Sequence, residues 1–149
     1  MKYLFKRITS TDTEMMKALL GVFAEAFAEP QTYMGAVPGD EYLRRLLQKE
    51  YFISLVALAE GKVIGGLVAY ELEKFEQERS EIYLYDLAIK QSHRRKGVAT
   101  SLINELKSVA KRRGAWVIFV QADPGDNAAI SLYESLGKRE DVHQFDIPV

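Results

Sequence analysis

Three groups of side chains in this sequence have types and spacings suited to chemistry. The first is the run Arg94-Arg95-Lys96-Gly97-Val98-Ala99, which sits where an apolar strand pattern gives way to a helical one. A helix N-terminus offers unpaired backbone N–H groups and roughly half a positive charge, so an anion settles there. Gly97 and Ala99 let the backbone approach a bulky phosphate, and Arg94, Arg95 and Lys96 add charge, which makes a pyrophosphate the natural ligand. The run is neither a Walker loop, which ends in Gly-Lys-Ser/Thr, nor the three-glycine dinucleotide fingerprint. The second group is Asp86, a carboxylate in the otherwise apolar stretch Glu81 to Ile89. Burial there would raise its pKa toward the range of a working base, and the competing reading is a structural carboxylate bound to backbone or to an arginine. The third is Tyr133, whose hydroxyl can donate a proton or a hydrogen bond. Leu132 and Leu136 on the same helix make a core aromatic its competing reading.

Other chemistries are excluded. With no cysteine in the chain there is no disulfide framework, no thiolate metal site and no cysteine acyl-enzyme, and since no serine has a convincing activating partner, direct attack in a ternary complex is the expected route for group transfer. His93 and His143 have no metal-ligand spacing and no serine partner for a triad, and no metal is expected. A formal net charge of −1 argues against general nucleic-acid binding, but the charges are sorted. Arg94, Arg95, Lys96, Lys107, Lys111, Arg112 and Arg113 face a single acid, Glu105, between His93 and Arg113, whereas Glu71, Glu73, Glu76, Glu78 and Glu81 outweigh Lys74 and Arg79. This sorting suits an anionic ligand on one side and a cationic one on the other, or simply two solvated faces. Met1 to Arg7 lacks the apolar core of a leader and no later segment has membrane-spanning length, so the expectation is a cytoplasmic protein without membrane contact.

The elements that must position these residues follow from periodicity. Tyr3 to Ile8 reads as a strand; Ser10-Thr11-Asp12-Thr13 caps a helix to about Ala28, and Pro30 stops it. Gln31 to Asp40 reads as a loop, and Asp40 caps a second helix with Leu43, Leu46 and Leu47 on one face. Tyr51 to Ala59 and Lys62 to Leu72 are strands joined at Glu60-Gly61, expected to pair antiparallel. Glu81 to Ile89 is apolar on both parities, as a central strand covered on both faces would be, with Tyr83 and Tyr85 read as sheet packing and one of them open to substrate. Gly97 to Arg113 is a helix ended by Gly114, and Ala115 to Ala122 is a buried strand. Asp123-Pro124-Gly125-Asp126 is a turn, Asn127 caps a helix ended by Gly137, and a terminal strand covers about Val142 to Ile147. A mixed α/β single domain spanning 1–149 results.

Arg94, Gly97 and Ala99 meet the Gln/Arg-x-x-Gly-x-Gly/Ala signature of the GNAT N-acetyltransferase superfamily, which the chain resembles also in element order. Lys74 to Ala88, His93-Arg94-Arg95, Val120-Gln121-Ala122-Asp123, Leu132-Tyr133 and Phe145-Asp146-Ile147, and more loosely Phe27 to Tyr33, are similar to the gentamicin-modifying aminoglycoside 3-N-acetyltransferases of that fold. The resemblance implies a single domain whose mixed, mostly antiparallel sheet is splayed between two central parallel strands and flanked by helices. It implies acetyl-coenzyme A as cosubstrate, with the main chain of Leu87, Ala88 and Ile89 on the pantetheine arm, which Asn127 also contacts. Arg94, Arg95, Lys96, Gly97, Val98, Ala99 and Thr100 would hold the pyrophosphate.

For catalysis the resemblance and the residues together give Asp86 as the base that takes the acceptor amine's proton, or as a group that orients the amine. Glu81 is the reserve base, and Tyr133 meets the departing thiolate. The implied acceptor is a small polycationic amine, an aminoglycoside acetylated at its 3-amino group, which would confer resistance. Asp86, Asp123, Asp146, Glu29, Glu140 and Tyr33 are its candidate contacts, with Glu25 and Glu78 further carboxylates. A homodimer is a further family expectation. The alternatives are an acetyltransferase of polyamines or protein amines, and a non-catalytic acyl-coenzyme A sensor.

Overall fold

In the computed structural model the described residues run from Lys2 to Val149. The elements are β1 (Leu4–Arg7), α1 (Thr13–Ala26), α2 (Pro30–Met34), α3 (Asp40–Leu47), β2 (Phe52–Ala59), β3 (Lys62–Glu73), β4 (Ser80–Ile89), α4 (Val98–Arg113), β5 (Ala115–Val120) and α5 (Asn127–Leu136), with a short 3₁₀ turn at Gln91–His93. One sheet takes the strands in chain order, β1-β2-β3-β4-β5, antiparallel from β1 through β4. The β4-to-β5 connection is the crossover helix α4, the link that parallel neighbours require, and the sheet is mixed. The chain divides into a larger unit ending at Phe119 and a smaller one, Val120–Val149.

Both faces of the sheet are covered in the larger unit, as the unbroken apolar run of β2 requires. On one face Met16, Leu19, Val22 and Phe23 of α1 and Leu43 and Leu47 of α3 pack on Val56, Val68 and Ala88. Leu19 is fully buried because Gly66 lets α1 close on the sheet: a Cβ there would stand 2.6 Å from Leu55 O and 2.7 Å from Leu19 Cδ1. The amphipathic helix α4 buries Val98, Leu102, Leu106 and Val109, and each such burial contributes about 1.5–3 kcal/mol. Gly114, at φ 74°, ends α4 in the left-handed conformation expected of a C-terminal glycine.

Several expectations are corrected. Pro30 does not merely stop α1; it opens α2, occupying the first helical turn where its missing N–H costs nothing. The preceding break falls at Ala28, in left-handed backbone at φ 53°. Asp40 and Asn127 are first helical residues, not caps. Gly39 precedes α3, and the cap of α5 is Asp126, whose carboxylate accepts from the Ala129 N–H at 3.2 Å. No strand forms over residues 142–147. Val142, Phe145 and Ile147 are exposed, and without a paired neighbour alternation alone does not make a strand. Among the described residues β5 is therefore outermost and β3 central, so the β4/β5 pair sits at one side of the sheet.

Candidate active site

The site is built around an irregularity in β4. Opposite β3, Asp86 pairs with Val68 while Leu84 pairs with Ala69, so Tyr85 is an extra residue, a β-bulge. Before the bulge Ile82 and Leu84 are fully buried. After it, Asp86 and Ala88 lie opposite Val68 and Gly66, on the face that α1 covers. Strict alternation would separate Asp86 from Tyr83 and Tyr85. The bulge instead lets Asp86 reach Tyr33 of α2 while Tyr85 meets Tyr70 of β3 on that same face.

Asp86 is half-buried and accepts a hydrogen bond from the Tyr33 hydroxyl at 2.9 Å. Tyr33 is held by its ring, 5.7 Å from both Phe23 and Phe27. Burial pushes the Asp86 carboxyl above its ordinary value; the Tyr33 hydrogen bond works against this, and the negative charge of Glu29 works with it. Burial and then the Asp86 charge drive the Tyr33 phenol far upward, so it stays a donor across the working range. The arrangement is that of a carboxylate poised to accept a proton, with a fixed donor setting its direction and no cation paired with it among the described residues. The alternative of an arginine-paired structural carboxylate does not describe Asp86, whose side-chain hydrogen-bond partner is a tyrosine.

Glu81, the reserve base, is tied down. It is 3.4 Å from Lys74 Nζ, and its Oε2 accepts from the Trp116 indole at 3.2 Å. The Arg79 guanidinium stacks 4.1 Å from the Trp116 ring centroid. Glu71, from the same acidic block, binds Arg113 at 2.7 Å and accepts from the Ser80 hydroxyl at 2.6 Å. Much of that block closes the β3–β4 hairpin and fastens it to α4, which is a structural use that charge sorting alone did not reveal.

At the other end of β4, Leu87, Ala88 and Ile89 lead into the 3₁₀ turn and the start of α4. Arg94 turns back and donates from Nε to Ile89 O at 2.9 Å, so this cation helps shape the loop. Arg95 and Gly97 are both left-handed, at φ 60° and 77°. Such reversals make concavities lined by backbone N–H groups that receive anions. A Cβ built on Gly97 would meet nothing within 4 Å, so open space lies over the cradle. Lys96 and the first N–H groups of α4, at Val98, Ala99 and Thr100, complete a site that fits a pyrophosphate. His93 is structural: its Nδ1 lies 3.0 Å from the Tyr3 hydroxyl, and the rings meet edge to face.

The remaining candidates lie in the smaller unit. Tyr133 is half-buried on α5, and its carbonyl accepts the Gly137 N–H at 2.9 Å. Asn127 occupies the first position of that helix. Asp123 precedes it in the turn, its carbonyl accepting from the Asp126 N–H. Glu140 is exposed, and Asp146 accepts from the Gln144 amide at 3.2 Å. In the larger unit Asp86, Tyr33 and Glu29 come together. Tyr70 joins them unforeseen: it lies opposite Tyr83 in the β3–β4 ladder, and its phenol is raised by burial first, with smaller contributions from Tyr85 and Asp86. The signal that could have found it is hairpin register counted back from Tyr83.

No described helix is long and apolar enough to cross a membrane, and the described residues contain no group of three or more His, Cys, Asp or Glu arranged for a metal.

Comparison with known proteins gives four findings. The family model of the acetyltransferase (GNAT) family matches residues 16–138. An aminoglycoside acetyltransferase from an uncultured soil metagenomic sample superposes with TM-score 0.98 at 52% identity, over 100% of this chain and 99% of that one. A second enzyme so described, also from an uncultured soil metagenomic sample and in complex with sisomicin, gives TM-score 0.92 at 30% identity over 99% and 96%. More remotely, the chain is 27% identical over 90 residues to N-acetyltransferase family 8 member 2 of Rattus norvegicus, covering 60% of this chain and 40% of that protein's length.

Proposed function

We propose that this chain, which belongs to the acetyltransferase (GNAT) family, transfers an acetyl group from acetyl-coenzyme A to an amine of an aminoglycoside. The carrying observation is the half-buried Asp86 carboxylate, aimed by Tyr33 and followed directly by the strand end and helix start that fit the cosubstrate. Similarity to two aminoglycoside acetyltransferases, one at 52% identity, supports the substrate class. The 3-amino group is the proposed position, resistance the proposed consequence and the cytoplasm the proposed location.

When bound, acetyl-coenzyme A supplies an activated thioester. The residues proposed to hold it are the main chain of Leu87, Ala88 and Ile89 along the arm, with Arg95, Lys96, Gly97, Val98, Ala99 and Thr100 around the pyrophosphate. Asn127 is a further proposed contact of the arm. Asp86 takes a proton from the acceptor's ammonium, directly or through water, because a protonated amine has no lone pair with which to attack. Tyr33 stays bonded to the carboxylate throughout and fixes which oxygen faces the amine. Glu29 adds negative charge beside it, which draws a polycation. Asp123, Asp146 and Glu140 are proposed as outlying contacts of the acceptor, and Tyr133 as the proton donor to the leaving sulfur. Glu81, committed to Lys74 and Trp116, is the less suited base.

The test is release of free coenzyme A across a panel of amines, comprising sisomicin, gentamicin, spermidine and a peptide amine, with the acetylated nitrogen located by NMR. Transfer to the aminoglycosides at the 3-amino group is the expected result. Turnover only with spermidine or peptide would overturn the substrate class, and binding without turnover would make the chain a sensor.

A further inference from the structure

We propose that the aromatic ladder beside Asp86 is the seat of the acceptor's aminocyclitol ring, so that this chain selects a rigid cyclic polyamine over a linear one. The proposal rests on the amine-acetylation reading above and adds how the acceptor is recognised. The ladder crosses the sheet. Tyr51, next to β2, stacks on Tyr70 of β3 with centroids 6.4 Å apart, and Tyr70 meets Tyr85 of β4 edge to face at 5.8 Å. Tyr85 lies 5.3 Å from Tyr83, and Tyr83 stacks on Phe119 of β5 at 4.6 Å.

Cross-strand aromatic pairs often serve only to stabilise a sheet. Two observations argue for more here. Tyr51, just before β2, is 47% exposed, and Tyr85 is 58% exposed although it lies on the interior strand β4 directly after the buried Leu84. A ring that served packing alone would be covered at such a position. The bulge at Tyr85, moreover, brings ring and carboxylate onto one face, and the Asp86 charge acts on the phenols of both Tyr70 and Tyr83. A surface that joins aromatic faces to a carboxylate without a paired cation among the described residues matches one chemical class: a rigid saturated six-membered ring carrying several ammonium groups. Its C–H face lies on the rings, its ammonium groups are attracted by their negative faces, and one amine reaches Asp86. A flexible linear polyamine satisfies the carboxylates equally well and gains little from a rigid floor.

The experiment is calorimetric titration of sisomicin and of spermidine into the full chain saturated with coenzyme A, for the wild type, Tyr85→Ala, Tyr85→Phe and Tyr51→Ala. Loss of the Tyr85 ring should weaken sisomicin about tenfold, the scale of a desolvated cation–aromatic contact, and spermidine by less than twofold. Tyr85→Phe should recover most of the loss. Tyr51→Ala, at an exposed position that folding tolerates, should weaken sisomicin selectively but less. Unchanged sisomicin affinity in Tyr85→Ala, equal weakening of both amines, or a wild type that does not bind sisomicin would each overturn the ladder. Failure of the transfer reading looks different: sisomicin binds in a Tyr85-dependent way, yet no coenzyme A is released from acetyl-coenzyme A.

Discussion

Tyr33→Phe is the most discriminating change at this site, because it removes one hydroxyl and leaves the ring that holds α2 against Phe23 and Phe27 at 5.7 Å. The lost interaction is a 2.9 Å hydrogen bond to an ionised carboxylate. Bonds to charged groups contribute about 1.5–3 kcal/mol, and since this one is only half-buried the lower end applies. Its loss should raise the Asp86 carboxyl further above its ordinary value. The direction is fixed: burial and the Glu29 charge already push Asp86 upward, and Tyr33 is the group that opposes them. Tyr70 and Tyr83, which also feel Asp86, are neutral phenols and add no competing charge.

If Asp86 must be ionised to accept the amine's proton, the acid limb of kcat/KM in Tyr33→Phe should move to higher pH. Activity should fall about tenfold on the acid side of the limb and return toward wild type above it. The assay is coenzyme A release against pH for wild type and variant with one acceptor, so the titration of the amine itself is common to both and cancels. Calorimetry with acetyl-coenzyme A should show unchanged affinity, because the cosubstrate is assigned to the far end of β4. An acid limb at the same pH in both proteins would refute the reasoning, as would a uniform loss at every pH, which would make Tyr33 a substrate contact and not a positioning residue.

Asp86→Asn should keep acetyl-coenzyme A affinity while turnover falls by roughly a hundredfold to ten-thousandfold; a loss confined to KM and relieved by salt would reduce Asp86 to steering the cation. The same variant should differ in stability. A carboxyl whose folded value is raised holds its proton longer in the native state, so wild-type stability falls as pH rises from the unfolded carboxylate value to the folded one. Thermal melts of Asp86→Asn should lack that fall and exceed wild type at neutral pH; identical melts would contradict the burial. Gly97→Val places a β-branched residue at φ 77° and fills the open space over the α4 N-terminus. Acetyl-coenzyme A affinity measured by calorimetry should drop while sisomicin affinity holds, and an unchanged cosubstrate affinity in the folded variant would remove the phosphate cradle.

The cosubstrate end of the site was legible in the sequence because it is written in local backbone requirements. A helix start, a glycine and clustered cations lie within Arg94 to Thr100, and the left-handed Gly97 is the residue that such a turn asks for. The acceptor end was legible in its residue types but not in its geometry. Asp86 stood out as a carboxylate among apolar neighbours, whereas its partner Tyr33 is brought in from α2, a helix that Pro30 seemed to forbid. Proline disfavours a helix interior but not a first turn, and nothing local to Pro30 distinguishes the two cases. The terminal strand failed for a related reason: period-two alternation is a local property, but a strand exists only where a neighbour supplies its ladder.

The bulge at Tyr85 carries the same lesson into function. In a regular strand Tyr83 and Tyr85 would lie on one face and Asp86 on the other, and the carboxylate would be separated from the rings beside it in sequence. One extra residue opposite the Val68-to-Ala69 step reverses the parity, so a proton acceptor, its Tyr33 donor and the exposed ring of Tyr85 share one surface. An inserted residue costs ladder hydrogen bonds, and partial burial of a carboxylate held only by the Tyr33 hydroxyl costs stability as well. Neither expense strengthens the sheet, and each is intelligible where a cationic amine is to be held and deprotonated. Deleting Tyr85 leaves Leu84 opposite Ala69 and Asp86 opposite Val68, so Asp86 should keep its face and the Asp86-dependent acid limb should persist, while the preference for sisomicin over spermidine is lost with the ring.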